Sequence, residues 1–179
     1  MRRPLFALLA LVFVQAFAAM NASAQGGPPG QPGGGPPPPL PQTLDLATAK
    51  KILAASEALA TTMNVHAVIC VMDSNGDVVA SERMDMAGAI ALTSSQGKAR
   101  TALLFGLPTS QVADAMRGGK PITATLNPPP MGGSGLAIQQ GGLPIIKNGK
   151  VIGSIGAGGS SPANDEKVAQ AGLDAVTEK

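Results

Sequence analysis

A single histidine and a single cysteine narrow the chemistry open to this 179-residue chain. His66 is its one imidazole, and so its one strong nitrogen ligand for a metal ion. It borders an apolar run, where histidine is commonly structural, so both roles stay open. One Cys and one His fall short of a four-ligand zinc site, and one Cys makes no internal disulfide. A Ser-His-Asp triad is hard to build around His66 without a second base nearby. Cys70 lies within Ala67-Val68-Ile69-Cys70-Val71-Met72, the setting of a buried small hydrophobe rather than a nucleophile. Met84 and Met86 flank Asp85, and a thioether beside an imidazole is a recognised pair of iron ligands.

Arg83, Asp85, Lys98 and Arg100 place charges around one expected strand-to-helix junction. They suit either surface ion pairs, worth about 0–1 kcal/mol each, or a pocket rim that holds a carboxylate. The run Gly153-x-x-Gly156-x-Gly158-Gly159 precedes a helix but fits neither phosphate-loop pattern. Asp165 and Glu166 just beyond it would repel a phosphate. Close strand packing or a tight bend explains these glycines better, and Gly141-Gly142 is a similar backbone device.

These residues need elements to position them. Thr43 or Asp45 can cap a helix reaching about Met63, with Leu46, Ala49, Ile52, Leu53, Leu59 and Ala60 on one face. Strands over 65–72 and 78–84 follow, joined at Asn75-Gly76, where both residues tolerate positive φ. Ser81, Arg83 and Asp85 then share one strand face. Gly88 to Phe105 forms a second helix that buries Ala89, Ile90, Leu92, Ala99, Ala102 and Leu103. Thr109 or Ser110 caps a short helix to about Met116. Leu136–Gln139, Leu143–Lys147 and Val151–Ile155 add three strands, the last two turning at Asn148-Gly149. Ser161-Pro162 opens the final helix. The order predicts an α+β fold, an antiparallel five-stranded sheet with helices packed on it.

The chain ends carry their own signals. Arg2-Arg3, the apolar Leu5–Ala19 stretch and Ala22-Ser23-Ala24 give residues 1–24 the three parts of an export signal. Arg2-Arg3-Pro4 loosely fits a twin-arginine start, while the strongly apolar run favours ordinary secretion. The expected location is therefore periplasmic or secreted. Residues 25–42 hold six Gly and eight Pro and predict an extended tether. Residues 43–179 remain as one folded domain. Without Arg2 and Arg3 the 13 basic residues fall to 11, against 11 acids. With no basic excess, and Phe105 the one aromatic residue beyond the leader, nucleic-acid binding is excluded.

Five motifs then occur in a telling order: Arg83-Met84-Asp85, Lys98-Ala99-Arg100-Thr101-Ala102, Gly141-Gly142-Leu143-Pro144-Ile145, Asn148-Gly149-x-Val151-Ile152-Gly153-x-Ile155-Gly156, and Asp165-Glu166. Together they resemble the GlcG/HbpS-like family of small haem-binding-type proteins, which includes the C-terminal domain of PduO-type corrinoid adenosyltransferases. The resemblance spans residues 43–176. It departs at Gly156-Ala157-Gly158-Gly159, where many members have Gly-Val-Ser-Gly, and at the Pro/Gly-rich 127–135.

The resemblance implies a profilin-like fold, a homo-oligomer and a haem or related tetrapyrrole. It also implies haem capture or redox sensing for an exported member, with a membrane sensor as possible partner. On that reading His66, or else Met84, approaches iron. Lys98 or Arg83 pairs with propionates; Asp85, Gly141 and Gly142 complete the expected ligand-binding residues, and no catalysis is required. The alternative is a small enzyme or binding protein for a carboxylated metabolite, anchored by Arg83 and Lys98.

Overall fold

A computed structural model of the chain describes residues 44–120 and 135–177. The expected export signal, the tether, the alternative cap Thr43 and most of the Pro/Gly-rich 127–135 stretch lie outside the described residues. In chain order the elements are α1 (Leu46–Thr62), β1 (Val68–Asp73), β2 (Val78–Arg83), α2 (Ala89–Phe105), α3 (Thr109–Arg117), β3 (Gly142–Lys147), β4 (Lys150–Gly158) and α4 (Pro162–Asp174).

Local chemistry starts and stops these elements. Asp45 accepts the Thr48 N–H at 2.7 Å and so caps α1. That bond holds the Asp45 carboxyl below its ordinary range. Ser161 caps α4 through the Asn164 N–H at 3.3 Å, with Pro162 in the first turn. Gly106 ends α2 with φ 63°. The β3–β4 turn has both residues left-handed, Asn148 at φ 52° and Gly149 at 72°. The β1–β2 turn differs from expectation, because only Gly76 has positive φ (84°). Asp73 Oδ1 accepts the N–H groups of Asn75 (2.9 Å) and Asp77 (3.2 Å), which folds Ser74, Asn75 and Gly76 into a three-residue loop.

The sheet is antiparallel in the order β2-β1-β4-β3. Among the described residues it has four strands, not five. The expected strand at 136–139 is irregular. Its Ala137 N–H is donated to Thr101 Oγ1 (3.0 Å) and to the Gly97 carbonyl (3.3 Å). The segment therefore lies along α2, and its donor is spent there rather than in a strand ladder.

Alternation along the strands builds two unequal layers. Ile69, Val71, Ile155 and Ala157 meet Ile52, Leu53, Val168 and Ala169 of α1 and α4 in the main core. On the other face Val68 meets Ala87 and Ala91, and Cys70 and Met72 meet Ala99. That second layer is thin. A Cβ on Gly156 would lie 2.6 Å from the Ala99 nitrogen and collide with the Ser95 carbonyl. Because α2 rests so nearly on the β4 backbone, only small residues fit beneath it: Ala91, Ser95 and Ala99. This overturns the expected face of α2 over its first turns, where Ala89 is exposed, Ile90 is 76% exposed and Leu92 42%. Leu46, expected to be buried in α1, also stands in solvent.

Gly156→Ala should lower stability by about 1–3 kcal/mol, because backbone on α2 must give way. Gly135→Ala, with open space at that position, should stay within about 0.5 kcal/mol. Urea denaturation with an unchanged slope checks both.

Candidate functional site

Strand register gathers the expected residues at one end of the sheet. Val68 pairs with Arg83 and with Gly158, and Gly142 pairs with Gly156. The starts of β1 and β3 and the ends of β2 and β4 therefore lie together. Along that end the residues fall into two groups, one around the end of β2 and one past the start of β3, and these two edge strands lie roughly 14 Å apart at three inter-strand spacings.

The first group surrounds the end of β2. His66, just before β1, is exposed. The pairing continues one step past the strands, since the Met84 N–H donates to the Ala67 carbonyl at 3.0 Å. The Ala67 N–H in turn donates to Met84 Sδ at 3.5 Å. Met84 is half-buried against the main core, so its sulfur is held inward, away from an outside ligand. Ser81 and Arg83 share a face as expected, with the Ser81 hydroxyl donating to the Ile69 carbonyl at 3.0 Å. The Arg83 guanidinium doubles back, and its Nε and Nη2 both donate to the Ala87 carbonyl, at 3.1 and 2.6 Å. Asp85 and Met86 are exposed in the connector that this bond closes.

The second group is internal. Lys98 is 2% exposed. Its Nζ donates to Asp165 Oδ2 at 2.6 Å and to the Ala157 carbonyl at 2.9 Å. The other Asp165 oxygen accepts the Ser160 N–H at 3.0 Å. Gly141, at φ 119°, leaves room for this pair: a Cβ there would stand 2.8 Å from Asp165 Cβ and 3.1 Å from Lys98 Nζ. Gly142 donates its N–H to the Thr109 hydroxyl at 3.0 Å. The structure thus separates the charges expected around one junction. Arg83 and Asp85 stand at it, while Lys98 and Arg100 are buried farther along α2.

Cys70 faces α2 and is fully buried. Burial pushes its thiol up to about 12, against the smaller opposing pull of the Arg100 charge and the Ser81 hydroxyl. It is a core residue. The pairing role of Asp165 was missed in the sequence, where it read as an acid at a helix start. Thr109 was missed similarly, as it read as a cap. A groove of about 680 Å³ opens at the other end of the sheet, beside Leu44, Lys51, Ile145, Lys147, Ile152 and Val176. None of the expected site residues lines it, so the strand end around His66 and Arg83 is the better candidate.

Comparisons with known proteins agree with this architecture. The family model described as "Haem degrading protein HbpS-like" matches residues 44–174. An uncharacterised 15.0 kDa protein from the dhaT–dhaS intergenic region of Citrobacter freundii is 36% identical over 142 residues, covering 76% of this chain and 94% of that protein. The crystal structure of a double mutant of Streptomyces reticuli HbpS is 27% identical, with a TM-score of 0.66, covering 86% of this chain and 99% of that one. The PduOC–haem complex shares the fold at 22% identity and a TM-score of 0.65, covering 75% of this chain and 95% of that one.

Two outcomes follow from the buried groups. Asp165→Leu alone should cost about 3–5 kcal/mol, because it strands the Lys98 charge. The double variant Lys98→Met with Asp165→Leu should recover much of that loss in equilibrium unfolding. Cys70 should resist iodoacetamide at neutral pH until the chain is unfolded. Since burial lifts its folded pKa from the ordinary thiol value of 9.0 to about 12, the stability gained by keeping the thiol protonated is complete below about pH 9 and is lost as pH rises toward 12.

Proposed function

The chain belongs to the HbpS-like family, whose model covers most of its length, and from that premise we propose that it is a haem-binding protein with its site at the His66–Arg83 end of the sheet. The observation that carries the location is the exposure of His66, the sole imidazole, two residues before Val68, whose strand partner is the exposed Arg83 at the close of β2. Haem asks for a nitrogen donor at iron and for cations at its propionates. The residues present fit both requirements.

Bound haem would supply a redox-active iron and a strongly absorbing macrocycle. The chain's part is to hold it. His66 offers the donor nitrogen, and Arg83 offers charge while its bonds to the Ala87 carbonyl fix its direction. Lys98 is committed to Asp165, so it is the weaker choice for a propionate or for any external carboxylate. This weighs against the carboxylated-metabolite reading, which needs Lys98 as a second anchor.

Export by residues 1–24, assembly into a homo-oligomer, and haem capture or redox sensing with a membrane sensor as partner complete the proposal. Their support is the leader, the tether composition and the family resemblance.

Haem titrated into the purified protein should give a saturable Soret band. His66→Ala should weaken that binding about tenfold or more, the equivalent of about 1.4 kcal/mol. Saturation unchanged in the variant would move the iron donor elsewhere, and an unsaturable response in the native protein would sink the haem reading. Loss of the band under a reductant and oxygen would report the degradation that the family description names.

A further inference from the structure

The connector between β2 and α2 holds a large apolar side chain in an unfavourable conformation and turns it outward. Met86 has φ 65°, a left-handed conformation that costs a non-glycine residue roughly 1–2 kcal/mol. It is 84% exposed, and Ile90, in the first turn of α2, is 76% exposed. Glycine or asparagine is the ordinary occupant of such a position.

The turn is fixed from inside rather than by Met86 itself. Arg83 donates twice to the Ala87 carbonyl, and the Ala87 N–H donates to the Met84 carbonyl at 3.2 Å. Ala87 is buried against Val68 and Ala91. Strain that persists where the surroundings over-determine it marks a functional position more often than a chance one.

His66 stands at the same corner. The Met84 N–H bond to the Ala67 carbonyl puts His66 one residue beyond the last β1–β2 pairing, at the strand end from which the Asp85–Met86 turn leaves. A Cβ on Gly159 would lie 2.5 Å from the His66 carbonyl and 3.4 Å from Ala91 Cβ, so the His66 backbone and the first turn of α2 both approach that glycine. The same end of the sheet therefore carries two exposed apolar side chains, an exposed imidazole and a guanidinium. That pattern complements a flat apolar plate with a metal at its centre and carboxylates at its edge.

We propose that Met86 and Ile90 form the apolar contact for the macrocycle held at His66, and that the Arg83-closed turn serves to fix Met86 in that position. The proposal rests on the haem reading and adds residues to it. Met86, with its soft and adaptable thioether, packs against the aromatic ring system. Met84, turned inward onto the Ala67 N–H, does not.

The test uses the purified protein with Met86→Gly, Met86→Leu and Ile90→Ser. Met86→Gly relieves the left-handed strain, so its melting temperature should hold or rise by a few degrees. Its haem affinity should nevertheless fall about tenfold, the loss expected for exposing a buried methionine-sized surface. Ile90→Ser should weaken haem similarly, and Met86→Leu should stay near the native affinity. Native protein that shows no saturable Soret band would defeat the haem reading itself. If the native protein binds, and His66→Ala weakens it, but Met86→Gly and Ile90→Ser bind as tightly as the native chain, this proposal alone is overturned. It is also overturned if those variants change only the haem-free mass in light scattering, because the patch then belongs to a contact between copies.

Discussion

The ion pair between Lys98 and Asp165 ties together parts of the fold that no single element could join. Lys98 comes from α2 on one face of the sheet, and Asp165 from α4, which packs on the other. They meet past the start of β3, where Gly141 and Gly142 leave no side chain in the way. Two desolvated charges are costly, and the Coulomb attraction alone rarely repays that cost. Here the extra donors and acceptors matter: the Ala157 carbonyl gives the ammonium a second acceptor and the Ser160 N–H gives the carboxylate a second donor. Each partner is held from two directions, so the geometry is restrictive as well as attractive.

That restriction fixes how close α2 can come to the sheet. With Lys98 drawn to the start of β3, the helix lies on Gly156 and Gly158 of β4 and buries Ala91, Ser95 and Ala99. A helix in this position has no room for branched residues beneath it. Ile90 and Leu92 are pushed to the outer side. The same packing that makes the inner layer thin therefore supplies apolar surface on the outer side of the first turn of α2. Core geometry and candidate binding surface are two sides of one constraint.

The sequence disclosed what depends on neighbours in the chain. Asp45, Ser161-Pro162 and Asn148-Gly149 mark their elements through contacts within four residues, and each stands where its chemistry put it. The glycine run of β4 also gave its role correctly, since a loop for phosphate did not fit the acids that follow. What escaped was set by partners far along the chain. Lys98 and Asp165 are separated by 67 positions, and nothing local says that one neutralises the other. The buried side of α2 is as expected at Ala99, Ala102 and Leu103, but over the first turns the larger Ile90 and Leu92 were put inside, which fails when the facing strand is glycine. Leu136–Gln139 has the composition of a strand, but its Ala137 donor is captured by Thr101 and Gly97 of α2. His66, Arg83 and Asp85 were recognisable as residue types, yet their common corner came only with the β1–β2 register.

Arg83 shows why the corner has to be dissected through its apolar members. Its guanidinium closes the turn by two bonds to Ala87 and is also the cation proposed for the site. Removing it would release the Met86 conformation and the charge together, so a loss of ligand could not be assigned to either. Met86 has the opposite property. Its side chain is almost wholly in solvent, and its backbone conformation is one that glycine adopts at lower cost. Replacing it therefore subtracts surface while making the turn easier to form. Stability and affinity are expected to move in opposite directions at this position, which a purely structural role for the turn would not produce.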